Sequence, residues 1–139
     1  MYDQRLETLE MHGTGTALGD PIETGAGSFL NALSFTANKA IRGHSESAAG
    51  LSALLDVIEC ISKKRLQTQN HLKQVNNYIK TNNAILNKIH TFTCNTIYSG
   101  NSSFAFQGTN SHVCINSNLV PTQNDNRVLN KHRYWYTHS

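Results

Sequence analysis

The 139-residue chain carries 12 basic and 9 acidic side chains, a formal net charge of +3, with 15% of positions charged. Charge that sparse and scattered argues against a nucleic-acid partner. No apolar run is long enough for a bilayer span, and residues 1–10 carry neither a signal-type apolar core nor a basic presequence, so a cytoplasmic setting is expected. Cys60, Cys94 and Cys114 have no CxxC spacing and fit reduced thiols in one domain, or part of one.

Leu6 to Met11 reads as the end of a strand feeding the loop His12-Gly13-Thr14-Gly15-Thr16. Glycines there let a substrate come close to the backbone, threonines offer hydroxyls, and the imidazole is free to act. Gly19 or Asp20 can cap a helix with Pro21 in its first turn, running to about Ala32. Ala26, Phe29, Leu30 and Leu33 would be its core-facing stripe. Residues 34–41 are only weakly strand-like.

Gly43-His44-Ser45 opens the strongest helix, with Ser45 as N-cap and Glu46 at its positive end. Ala48, Leu51, Leu54, Leu55, Val57, Ile58 and Ile61 make it apolar on most sides, which marks a central helix. Lys63-Lys64-Arg65 closes it with cations at the negative end. Residues 66–88 are polar and irregular, and 89–98 read as a strand. Ser99-Gly100-Asn101 reads as a turn. Two short strands, 102–106 and 111–115, flank a turn at Gln107-Gly108-Thr109-Asn110. From residue 117 the chain reads as a polar tail or linker, ending in Arg133-Tyr134-Trp135-Tyr136.

His12, His44 and Lys39 are the candidates for chemistry. A histidine at a helix N-terminus tends to stay neutral, and neutral imidazole can donate one hydrogen bond to a developing oxyanion. Glu46 is the candidate partner of Lys39. No two histidines stand at i,i+3 or i,i+4, so no metal site is expected. Cys60 reads as core, and Cys94 and Cys114 lie in strand-like runs without a cation to activate them.

Three long strings resemble the β-ketoacyl synthases, the condensing domains of polyketide and fatty acid synthases. Glu10-Met11-His12-Gly13-Thr14-Gly15-Thr16-Ala17-Leu18-Gly19-Asp20-Pro21-Ile22-Glu23 is similar to E-A-H-G-T-G-T-x-x-G-D-P-I-E. Lys39 with Gly43-His44-Ser45-Glu46-Ser47-Ala48-Ala49-Gly50 is similar to K-x-x-x-G-H-x-E-x-A-A-G, and Ser102 to Val113 to S-S-F-G-F-G-G-T-N-A-H-V. The resemblance implies an α/β fold over residues 1–116, the C-terminal half of a thiolase-like αβαβα sandwich with a mixed sheet and a buried central helix.

It also implies roles. His12 and His44 would promote malonyl decarboxylation and hold the enolate oxygen, with Lys39 supporting them beside Glu46. Asp20 would support the loop. Thr14 and Thr16 would line the channel for the phosphopantetheine arm of an acyl carrier protein, which brings the substrate; no bound cofactor is implied. Phe106 would gate the acyl pocket, and Gly108, Thr109 and Asn110 would lie beside the nucleophile. Partners would be the carrier protein and its acyl and malonyl thioesters.

The sequence also departs from the family. The D-T-A-C-S-S-type nucleophile string is absent, so condensation by this chain alone is not expected. Ile41-Arg42 stands for Asn-Ile and puts a long cation near the site. The stretch from Glu23 to Lys39 is short, which implies a frayed strand, and Ala105 and Gln107 replace glycines. The alternative reading is a non-catalytic module or gene remnant that self-associates or pairs with a complete synthase.

Overall fold

A computed structural model describes residues 6–30, 32–66, 68–80, 84–85, 90–92 and 96–118. Its main sheet has five strands in the order β4-β2-β1-β6-β7. Strand β1 (Thr8–Glu10) lies at its centre, parallel to β2 (Ser34–Thr36) and to β6 (Thr96–Phe104). β4 (Ala84–Ile85) runs parallel to β2, and β7 (Asn110–Asn118) pairs antiparallel with β6. A small second sheet joins β3 (Arg65–Leu66) to β5 (His90–Thr91). The helices are α1 (Gly19–Phe29), α2 (Lys39–Arg42) and α3 (Ala49–Ser62), the last preceded by a tight 3-10 turn at Glu46–Ala48.

The central sheet separates two apolar clusters. Leu6, Leu9, Met11, Ala32 and Phe35 pack with Tyr98 on one side, and Leu9 and Phe35 press on Gly27 of α1. Val57 and Ile61 of α3 pack on Ile97 from the other. The register explains the division: Leu9 lies opposite Gly100, so Ile97, three residues away on β6, points to the opposite face. Burying a Leu, Ile or Phe side chain this fully stabilises by about 2 kcal/mol.

Helix α1 turns a different face inward than its stripe predicts. Its buried residues are Glu23, Thr24 and Gly27, whereas Phe29 is 92% exposed. A Cβ on Gly27 would lie 2.6 Å from Leu9 Cδ2 and 2.9 Å from Phe35 Cε1. Only the small face of the helix fits that close to the sheet. The expected caps also differ. Leu18 stands at the N-cap of α1 and Ser45 precedes the 3-10 turn, each without a capping side chain.

Residues 34–36 form a full core strand, paired on both sides, with Phe35 2% exposed; the short approach does not fray it. The expected turn at Ser99-Gly100-Asn101 is instead the middle of β6, with Ser99 fully buried and Asn101 4% exposed. These small residues admit close neighbours: a Cβ on Gly100 would stand 2.8 Å from Leu9 Cδ1 and 3.0 Å from His112 Cε1. Burial and pairing override the local turn preference.

Helix α3 buries Ala49, Ala53, Val57 and Ile61 at four-residue intervals, while Leu51, Leu55 and Ile58 stay exposed on its outer face. Strand β7 extends two residues past position 116. The rest of the expected tail, with Arg133-Tyr134-Trp135-Tyr136, lies outside the described residues, as does Cys94. Cys60 is half-buried and Cys114 exposed. Among the described residues no helix is long and apolar enough to cross a membrane.

Candidate functional site

His12 leaves β1 one residue beyond Met11, and its loop is shaped from below. Gly13 and Gly15 have φ of 51° and 75°, in the left-handed region that favours glycine. A Cβ on Gly13 would come within 2.6 Å of Ala37 Cβ, so position 13 requires glycine for space as well. Glu23, buried on α1, reaches back under the loop. Its Oε1 accepts the His12 N–H at 2.6 Å and its Oε2 the Gly13 N–H at 2.9 Å. Asp20 accepts from the Gly15 N–H at 3.1 Å, and Thr16 Oγ1 from the Gly19 N–H at 3.1 Å.

Lys39 holds the same histidine from the α2 side. Its ammonium donates to the His12 carbonyl and lies 3.3 Å from His12 Nδ1. An ammonium has only protons to offer, so Nδ1 is the acceptor and the ring carries its hydrogen on Nε2. Burial lowers the His12 pKa, and the nearby charges of Lys39 and His44 lower it further. Burial also lowers that of Lys39, against the opposing pull of Glu10 and Glu23. Glu10, 4% exposed, accepts from Thr36 Oγ1 and from the Asn38 N–H, both at 2.5 Å. Its carboxyl is raised to about 7, mainly by burial.

His44 stands across from His12, with ring centroids 5.7 Å apart and planes at 83°. The Glu46 N–H donates to His44 Nδ1 at 3.2 Å, so this ring too, when neutral, presents Nε2–H. Phe104, at the end of β6, lies against His12 with centroids 5.6 Å apart. The site is therefore two imidazoles with Nδ1 occupied and Nε2 on offer, beside an aromatic wall and a half-buried lysine.

The structure brings His12, His44 and Lys39 together. It corrects the expected partner of Lys39. Glu46 engages His44 through its backbone N–H, and the carboxylates acting on Lys39 are Glu10 and Glu23. It also moves Arg42, which binds Asp56 of α3 through Nε at 3.0 Å and through its terminal nitrogen at 2.7 Å. Thr14 and Thr16 are exposed on the loop, and Thr14 borders a cleft of about 470 Å³ that Lys39, Val75 and Ile79 also line.

Phe106 is fully exposed at the tip between β6 and β7, with Gly108 at φ 91° and Thr109 and Asn110 exposed beside it. The aromatic that meets His12 is thus Phe104, a residue the sequence reading assigned no role. The single-residue signal was weak, because the S-S-F-A-F string holds two phenylalanines and only the strand end tells them apart. Glu23 was also missed, although it closes the first string.

The chain matches the family described as beta-ketoacyl synthase, C-terminal domain, over residues 2–73. It is 31% identical over 128 residues to a phenolphthiocerol/phthiocerol polyketide synthase protein of Mycobacterium tuberculosis, covering 83% of this chain and 7% of that protein. It is 32% identical over 124 residues to a highly reducing polyketide synthase of Neurospora crassa, covering 77% of this chain and 5% of that one. Among solved structures, ketosynthase twelve of the bacillaene polyketide synthase from Bacillus amyloliquefaciens superposes with a TM-score of 0.73 at 27% identity, over 80% of this chain and 22% of that one. An oxazolomycin ketosynthase domain from Streptomyces albus JA3453 gives 0.75 at 28% identity, over 85% and 24%. The chain thus spans a small part of each of these relatives.

Proposed function

This chain belongs to the β-ketoacyl synthase family as its C-terminal domain, and on that premise we propose that it supplies the two-histidine half of a decarboxylative condensing site. A malonyl thioester, delivered on the phosphopantetheine arm of a carrier protein, loses carbon dioxide. The electron pair of the broken bond moves into the thioester, whose oxygen becomes an enolate oxyanion. Two Nε2–H donors aimed at that oxygen lower the barrier. The enolate carbon then attacks an acyl thioester, and the thiolate that carried the acyl group leaves. We assign that thiolate to a cysteine outside this chain, since none of Cys60, Cys94 and Cys114 lies in a D-T-A-C-S-S-type string.

The observation that carries the reading is the pair of imidazoles at 5.7 Å, each with its Nδ1 occupied. Removing one such oxyanion donor typically costs about 100- to 1000-fold in rate. The test is malonyl-thioester decarboxylation by the chain, with His12→Ala and His44→Ala beside it. Loss of that order in both variants is expected; unchanged decarboxylation removes the histidines from the mechanism. Condensation is expected only when a polypeptide bearing the cysteine half is added. Full turnover by this chain alone refutes that division of labour.

Leu51, Leu55 and Ile58, 62%, 57% and 48% exposed along one face of α3, favour a second reading in which the chain pairs with a complete synthase or with itself. A stable monomer in size-exclusion chromatography speaks against it.

A further inference from the structure

The short helix α2 carries site residues at both of its ends. Lys39 is its first residue, and His44 follows its last by two. Four residues make one turn, too little to hold itself together. Two polar links fasten it to the long helix α3. Asn38 Nδ2 donates to Ser52 Oγ at 3.1 Å, and Arg42 grips Asp56 with two nitrogens at 3.0 and 2.7 Å. Asn38 and Arg42 are four residues apart, as are Ser52 and Asp56, so the links form two rungs one helical turn apart.

The second rung is the stronger. It is a bidentate guanidinium–carboxylate pair, which fixes orientation as well as distance. The Asp56 side chain is 7% exposed and that of Arg42 52%. Immediately beyond Arg42 the chain turns through Gly43 at φ 77° and passes His44 to Glu46, a non-glycine residue at φ 45°. A segment with two such conformations needs an external anchor to stay in place.

We propose that Arg42 and Asp56 are positioning residues for His44: their ion pair fastens the 42–46 segment to α3 and so keeps the His44 ring against His12. The inference rests on the functional reading only for the importance of His44; the geometric claim stands apart from catalysis. It also gives a use to the cation that replaces an apolar residue in the string before Gly43-His44.

The test is NMR on the full chain, reading the cross-peak between the His12 and His44 ring protons. Asp56→Asn and Arg42→Lys are compared with Lys63→Gln, which breaks the exposed Lys63–Glu59 pair further along α3. The expected result is at least a twofold weaker ring–ring cross-peak in both positioning variants and none of that loss in Lys63→Gln. The charge-exchanged double variant, Arg42→Asp with Asp56→Arg, is expected to recover most of the signal. Should Asp56→Asn fail to fold, Arg42→Lys decides, since it changes a half-exposed side chain and keeps the charge. An undiminished cross-peak in the folded variants overturns the proposal. Decarboxylation assayed on the same samples separates the two ideas: a displaced ring with unchanged rate would refute the role of His44 and leave the positioning intact.

Discussion

Replacing Glu10 by Gln should make the protein more stable above neutral pH and flatten its response to pH. Glu10 is 4% exposed and its carboxyl accepts from Thr36 and Asn38, with Asp56 of α3 acting against its ionisation and Lys39 of α2 for it. Burial dominates and raises its pKa from 4.5 to about 7. In the unfolded chain the same group ionises near 4.5, so the folded state binds the extra proton between these values. The stability linked to this group is therefore fully present below about pH 4.5 and is lost as pH rises through about 7. A displacement of that size corresponds to about 3 kcal/mol.

Glutamine is nearly isosteric and suits both donors. Its carbonyl oxygen can keep the Asn38 N–H, and its amide can donate to the Thr36 hydroxyl, which can also accept. The variant carries no charge to desolvate. Urea unfolding of both proteins from pH 4.5 to 8 measures the difference directly and cancels the titration of groups that do not interact with Glu10. The two should be similar near pH 4.5, and the variant should gain about 3 kcal/mol by pH 8, or roughly 10 °C in Tm. A pH-independent difference, or a variant less stable at pH 8, refutes the argument that desolvation governs this carboxyl.

Three further outcomes are expected. Lys39→Met should raise the His12 titration point, followed through its ring proton by NMR, because the ammonium is the largest of the nearby charges lowering it; an unmoved or lower value contradicts the 3.3 Å contact. On α1, Gly25→Ala should stabilise by about 0.5–1 kcal/mol, since nothing lies within 4 Å of the added methyl. Gly27→Ala should destabilise, because overpacking against Leu9 and Phe35 costs about 1–3 kcal/mol and outweighs the helix gain. Thermal unfolding of the pair decides, and equal effects would show that α1 sits more loosely on the sheet than its contacts with Leu9 and Phe35 imply.

What the sequence made legible follows chemical distinctiveness. His12 and His44 stand out because each lies in a long string of unusual residues, and the loop around His12 needs its glycines in ways the string displays. Contacts made by ordinary residues across the fold left no such mark. Glu23 binds the His12 and Gly13 amides from eleven and ten residues away, a distance only the packing of α1 makes short. Lys39 was matched to the nearest acid in the chain, Glu46, whereas the fold surrounds it with Glu10 and Glu23 from two other elements. Ser99-Gly100-Asn101 has turn composition yet lies in a central strand, because small size serves close packing as well as bending. The inward face of α1 was misjudged for the same reason: its contact surface is a glycine, and apolar periodicity gives weight only to large side chains.

The central place of β1 sets an order of assembly. Its two neighbours come from opposite parts of the chain: β2 follows within one helix, while β6 arrives only after everything from α2 to β5. As the polypeptide leaves the ribosome, the β1–α1–β2 unit can close early and carry the His12 loop with it. The wall that Phe104 provides, and the seat for α3 on β6, come only when the β6–β7 hairpin emerges. Formation of the site is thus tied to the longest-range pairing in the sheet, which is expected to be the slow step of folding.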